Sequence, residues 1–251
     1  MSDDLKLLLR QIKLRRYREG SPERILADLF EDLVRSGHGH RGWDLIVELI
    51  ADRYREIELK RHGITLLPKT KHQDLAEKYR EEIEHYIVAA KQKPWDYLGE
   101  VFIKNNLGNP SLGQNLTPKN VVDLIVQMTL GDEKDIKETK TVLDPCVGTG
   151  RFLLEASLLY PKAPLLLYGV EIDVSLYRAC VVNLSMFSRH PFSIICADSL
   201  RLDTRLCGPG SPLWLLGNQW DPPDISKFYV KPPAATEDKF SLSGWIRQKQ
   251  S

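Results

Sequence analysis

Asp144-Pro145-Cys146-Val147-Gly148-Thr149-Gly150-Arg151-Phe152 is the stretch on which the fold turns. Residues 141–147 read as a strand that ends in a carboxylate, and a Gly-x-Gly turn leads from it straight into a helix over 152–160. Glycines at such a turn let the backbone bend tightly and approach a nucleotide-like ligand. The dinucleotide fingerprint asks for a third small residue where Leu153 stands, which disfavours a nicotinamide dinucleotide. Working outward, 165–172 reads as an apolar strand, 175–188 as a helix, and 193–197 and 213–217 as further strands. Apolar strands alternating with helices predict a parallel sheet covered on both faces.

Upstream the pattern is helical. Leu5, Leu8, Leu9 and Ile12 share one helical face, and Ile25, Leu26, Leu29, Phe30 and Leu33 repeat the spacing. Ser21-Pro22 opens the second of these helices as N-cap and first helical residue, and Ser36 to His40 closes it. Further helices are predicted over 43–60 and 71–91, the latter with Leu75, Tyr79, Ile83 and Ile87 on one face. From Pro94 the chain passes through Trp95-Asp96-Tyr97-Leu98-Gly99-Glu100 into a polar loop over 105–115. Thr117-Pro118 then caps a helix that stops at Gly131.

The composition, 42% hydrophobic and 27% charged, is that of a soluble globular protein and excludes a disordered, collagen-like or disulfide-stapled chain. Thirty-five Lys and Arg against 34 Asp and Glu leave no bulk charge for coating nucleic acid, so such contact must come from a local patch. Arg10, Lys13, Arg15, Arg16 and Arg18 form a basic run that reads first as a solvated helix face. No apolar run approaches the ~20 residues of a membrane span. The acidic start, Met1-Ser2-Asp3-Asp4, carries no signal-peptide pattern. Cys146, Cys180, Cys196 and Cys207 form no CxxC pair and are expected as thiols of a cytoplasmic protein, and His38 and His40 lack the neighbours of a metal site.

Acids stand at three strand ends. Glu171, in Tyr168-Gly169-Val170-Glu171-Ile172-Asp173, is placed to accept both hydroxyls of a ribose. Asp198, in Ala197-Asp198-Ser199-Leu200, is placed to accept from an adenine amino group. With Asp144 they line the edge where α/β sheets bind ligands.

Gly113-Gln114-Asn115-Leu116-Thr117-Pro118, the helix after it and the run from Asp144 to Ala156 resemble the modification subunits of type I restriction systems. Those subunits are S-adenosylmethionine-dependent adenine-N6 DNA methyltransferases. Asp96-Tyr97-Leu98-Gly99-Glu100-Val101-Phe102 resembles the segment that precedes their Gln-x-x-Thr-Pro motif, so the resemblance spans roughly 95–200. It implies that Gln114, Thr117 and Pro118 line the methionine end of S-adenosylmethionine, and that Asp144, Gly148 and Gly150 form the turn around it. Thr149, Phe152, Ile172 and Ser199 stand alongside as cofactor-binding candidates, with Glu171 on the ribose and Asp198 on the adenine.

The catalytic signature departs from the family. The family carries Asn-Pro-Pro-aromatic, on whose ring a flipped adenine stacks. Here the corresponding run is Leu215-Leu216-Gly217-Asn218-Gln219-Trp220-Asp221-Pro222-Pro223-Asp224. Asn218 with Trp220 keeps the amide and an aromatic ring but loses both prolines. Asp221, Pro222 and Pro223 keep the diproline but place Asp224 where the ring belongs. Both registers stay open. Family domains continue through three more strands, so the sheet is expected to be shortened, with its edge covered by the tail, the N-terminal helices or another chain.

The sequence therefore predicts an α/β protein: a shortened Rossmann-like class I methyltransferase sheet preceded by an all-helical N-terminal region. The expected divisions are a helical region over 1–93, a linker and cofactor-lining helix over 94–140, the cofactor-binding core over 141–220 and a Pro-rich tail over 221–251. The resemblance implies adenine-N6 methylation of DNA with a specificity or completing protein subunit as partner. The altered loop leaves open a catalytically inactive relic that binds cofactor or a partner. No membrane and no metal are implied.

Overall fold

Ser21 and Pro22 start the first described helix for the reason their order suggests. The Ser21 side chain accepts from Arg24 N at 3.4 Å, and Pro22, which has no N–H to satisfy, occupies the first turn of α1 (Pro22–Leu33). A computed structural model of the protein describes residues 20–61, 72–108 and 114–199. The expected helix around Leu5 to Ile12 and the expected strand over 213–217 lie outside the described residues. The chain divides into two compact units, Met1–Asn115 and Leu116–Ser251.

In the first unit α1 buries Ile25, Leu26, Leu29, Phe30 and Leu33, the face that the spacing marks. A wide turn over Val34–His38 leads to α2 (Arg41–Arg61), followed by α3 (Gln73–Lys78), α4 (Arg80–Gln92) and α5 (Tyr97–Lys104). α1 packs on α4 and α5, and α2 on α4. Trp43 is the keystone of this packing. Its indole Nε1 donates to Leu98 O at 3.1 Å in the buried interior, and its ring lies 5.0 Å from that of Phe102. Arg53 bridges α2 to α4 through Glu84 and pairs with Glu56 on its own helix.

Two local expectations change. The single helix expected over 71–91 breaks at Tyr79, whose φ of −106° and ψ of 12° leave the helical region while its ring goes into the core at 2% exposure. Between Pro94 and the polar loop the chain forms a helix that the sequence pattern did not mark. Asp96 is fully buried, and its Oδ1 accepts from Gly99 N at 2.7 Å, which starts α5 before the chain turns polar.

The second unit opens with α6 (Lys119–Leu130) and continues with β1 (Lys140–Asp144), α7 (Arg151–Leu159), β2 (Leu165–Glu171), α8 (Val174–Phe187) and β3 (Phe192–Cys196). The strands form one parallel sheet in the order β1-β2-β3, with Asp144 opposite Gly169 and Glu171 opposite Cys196. α7 packs on β1 and β2, α8 on β2 and β3, and the two helices on each other, so both lie on one face of the sheet. That face buries Leu165, Leu167 and Ile194. The opposite face is covered unevenly among the described residues: Val170 is buried, Leu166 and Tyr168 are half-buried, and Leu143 is 45% exposed.

The Asp96 cap yields a direct expectation. Asp96→Ala should destabilise the helical unit by about 1–2 kcal/mol, while Asp96→Asn, which retains an acceptor for Gly99 N, should cost clearly less. Denaturant melts of the two variants followed by tryptophan fluorescence check it, because Trp43 bonds to α5.

Candidate functional site

The turn between β1 and α7 is built by its own backbone and by one carboxylate from the neighbouring strand. Val147 N donates to Val170 O at 3.0 Å, and Gly150 N to Val147 O at 2.9 Å. Gly148 N donates to Glu171 Oε2 at 2.8 Å, while Glu171 Oε1 accepts from Asp173 N at 2.9 Å. Glu171 is therefore no solvated strand-end acid. It is 7% exposed, and burial pushes its carboxyl above the ordinary range against the two N–H groups that favour its charge.

Glycine is required at both turn positions. Gly148 has φ +56° and Gly150 φ +94°, a region that L side chains rarely adopt. A Cβ on Gly150 would lie 2.9 Å from Cys180 Sγ, because α8 passes directly beneath the turn. One turn residue is held from below as well: Asn183 Nδ2 of α8 donates to Thr149 O at 2.9 Å, and both residues are fully buried.

Asp144 ends β1 half-buried. Its Oδ1 accepts from Cys146 N at 3.0 Å, and its Oδ2 is buried with no hydrogen-bond partner among the described residues. Burial raises its carboxyl above the ordinary value, opposed by the Cys146 bond. The tip of β3 joins the same edge through Ala197 N, which donates to Glu171 O at 2.9 Å, and through Ser199 Oγ, 3.9 Å from Cys146 Sγ. Asp198 and Ser199 are half-buried there, and Ile172 stands 48% exposed beside Glu171. Asp173 turns away to cap α8, accepting from Ser175 N and Leu176 N.

Thr117 and Pro118 do not form the cap that their sequence suggests. Pro118 is itself the N-cap of α6, extended at φ −59° and ψ 147°, and no side-chain hydrogen bond caps the helix. Thr117 is bound instead through its backbone: its carbonyl accepts from Arg151 Nη1 at 2.8 Å. Leu116 covers the turn, with its Cδ2 3.0 Å from where a Gly148 Cβ would stand. Lys119 Nζ pairs with Glu155 Oε1 of α7 at 3.1 Å and with Asp123 Oδ1 at 2.8 Å. Tyr160 Oη donates to Gly131 O at 2.6 Å, so α6 is fastened along its whole length.

The structure thus gathers Asp144, Gly148, Thr149, Gly150, Glu171, Ile172, Asp198 and Ser199 at one sheet edge, with Phe152 half-buried in the first turn of α7. Thr117 and Pro118 join them through Arg151. Gln114 belongs to the first compact unit. Asn218, Trp220, Asp221, Pro222 and Pro223 lie outside the described residues. Sequence reasoning missed Arg151 and Asn183. A basic residue opening a helix, against the helix dipole, and a lone Asn between Val182 and Leu184 were the available signals.

The family model described as N-6 DNA methylase matches residues 96–206. Among solved structures, the residues of this chain are similar to a protein from Listeria monocytogenes assigned to the class I S-adenosylmethionine-dependent methyltransferases. The identity is 14% and the TM-score 0.43, over 71% of this chain and 54% of that one. They are also similar to the methyltransferase subunit of a type I restriction-modification system from Streptococcus thermophilus, at 23% identity and TM-score 0.35, over 71% of this chain and 39% of that one. The chain thus spans about half the length of the first and two fifths of the second. No curated protein matches it. Among the described residues no helix is long and apolar enough to cross a membrane, and no three His, Cys, Asp or Glu side chains are grouped to hold a metal.

Two expectations test the glycine turn. Gly150→Ala should destabilise the second unit by at least about 2 kcal/mol, from left-handed strain plus the Cys180 contact. Adding Cys180→Ala should recover only the contact part, as a double-mutant cycle in denaturant would show. Asp144 gives a pH dependence. Its raised carboxyl means that the cost of ionising it in the fold is absent below the unfolded pKa and fully present above the folded one. Asp144→Asn keeps the acceptor for Cys146 N and removes that cost, so it should be more stable than wild type near pH 7 by about 1 kcal/mol. The two proteins should converge as pH falls through the carboxylate range; thermal melts at a series of pH values read the difference.

Proposed function

We propose that the edge formed by Asp144, the glycine turn and Glu171 binds S-adenosylmethionine, and that the protein uses it to methylate adenine N6 in DNA, in the cytoplasm, beside a protein subunit that supplies sequence specificity. The observation that carries this reading is the Asp144 carboxylate: one oxygen is fixed on Cys146 N, and the other is buried beside the turn with no partner among the described residues. An unpaired buried acceptor is costly, and a donor brought by a ligand repays it. The remaining residues suit the same molecule. Glu171 is held rigidly by two backbone N–H groups and retains lone pairs for a ribose, exposed Ile172 offers an apolar surface beside it, and Asp198 can accept from an amino group. Bound there, S-adenosylmethionine supplies a methyl group on a positively charged sulfur. Gln114, Thr117 and Pro118 would line its methionine end. Asn218, Trp220, Asp221, Pro222 and Pro223 are the proposed groups at the target base.

One observation favours a second reading. The run from Asn218 to Asp224 lacks Asn-Pro-Pro-aromatic, so the protein would bind the cofactor or a partner subunit without transferring a methyl group.

Calorimetric titration with S-adenosylmethionine and S-adenosylhomocysteine tests the binding. We expect Asp144→Ala to weaken both by roughly ten- to hundredfold, the worth of a hydrogen bond to a charged group. No binding by the wild-type chain would reject both the enzyme and the cofactor-binding form of the second reading. Binding without label transfer to duplex DNA in the presence of the partner subunit would favour the second.

A further inference from the structure

We infer that Arg151 is a positioning residue for the methionine end of the cofactor, acting through the backbone of Thr117; the inference rests on the cofactor reading above. Arg151 is the first residue of α7 and follows Gly150 directly. Its position is electrostatically poor, since a cation opens a helix whose N-terminus is already positive, and its side chain is nevertheless almost completely buried, at 3% exposure. A guanidinium held in that place must be satisfied by specific acceptors, and Nη1 donates to Thr117 O at 2.8 Å.

Thr117 is where such a tether is needed. Pro118 occupies the N-cap of α6, so the segment before the helix has no side-chain cap to hold it. The Pro118 carbonyl is used by α6, accepting from Val121 N and Val122 N at 3.0 Å, and Pro118 has no N–H. Leu116 rests on Gly148, but an apolar contact does not fix the rotation of the peptide that follows it. The Arg151 bond does: it sets the plane of the Thr117–Pro118 peptide relative to the turn. Lys119 with Glu155 and Tyr160 with Gly131 fasten the helix body further along, whereas the Arg151 bond acts on this peptide itself. Arg151 thereby couples the turn that would surround the ligand to the strap that would lie along its amino-acid end, with no contact to the ligand itself.

The test separates this role from general support of the fold. S-adenosylhomocysteine and adenosine share the nucleoside but only the first carries the amino-acid end. Each is titrated calorimetrically into wild type, Arg151→Met and Arg151→Lys, with thermal melts reporting the fold. We expect Arg151→Met to bind S-adenosylhomocysteine roughly tenfold more weakly, while its affinity for adenosine changes less than about twofold. Arg151→Lys, which keeps a charged donor of shorter reach, should lie between, and its ratio of the two affinities is read by the same criterion where Arg151→Met does not fold. Equal losses for both ligands, or wild-type affinity for S-adenosylhomocysteine in Arg151→Met, would overturn the positioning role. A wild-type chain that binds neither ligand overturns the cofactor reading, and this inference with it.

Discussion

The hydrogen bond from Gly148 N to Glu171 is the constraint on which the carboxyl edge of the second unit's sheet depends. It joins the turn that leaves β1 to the end of β2, two points 23 residues apart in sequence. The other Glu171 oxygen holds Asp173 N, and Asp173 in turn caps α8, the helix that passes under the turn and contributes Cys180 and Asn183. One buried carboxylate therefore fixes the direction of a strand end, a glycine turn and a helix start together. Its burial disfavours its own charge, and the surrounding N–H groups offset part of that cost.

Around this buckle the packing is asymmetric. α7 and α8 close one face of the sheet, and α6 is drawn onto α7 by three polar links at its start, first turn and end. Such links add little to bulk stability compared with apolar burial, but they are directional and fix how the start of α6 lies on α7. The helical unit relies on different forces: stripes of Leu, Ile and aromatic side chains, with Trp43 as the main polar anchor between α2 and α5.

Periodicity carried most of the architecture. The strands and helices from 140 to 196 fall within a few residues of where apolar runs and the Gly-x-Gly turn put them, because those signals are local. The break at Tyr79, the short helix after Asp96 and the shift of the α6 cap from Thr117 to Pro118 were not legible. Each is decided by a tertiary contact: a ring entering the core, a buried carboxylate, and a guanidinium arriving from α7. At the site, the acids at the strand tips were visible as residue types at strand ends. What Glu171 grips, that Arg151 holds the Thr117 carbonyl and that Asn183 holds the turn from below depended on which groups the fold brings alongside one another.

The way the turn spends its amides has a consequence for selectivity. The N–H groups of Val147, Gly148 and Gly150 all end on protein acceptors, and the side chains at the edge are Asp144, Glu171 and Asp198. A loop that cradles phosphates works in the opposite way, turning free amides outward toward negative charge. A polyphosphate tail brought to this edge would meet carboxylates where it needs donors. The edge as built is electrostatically unfavourable to a phosphate tail, whatever else it takes.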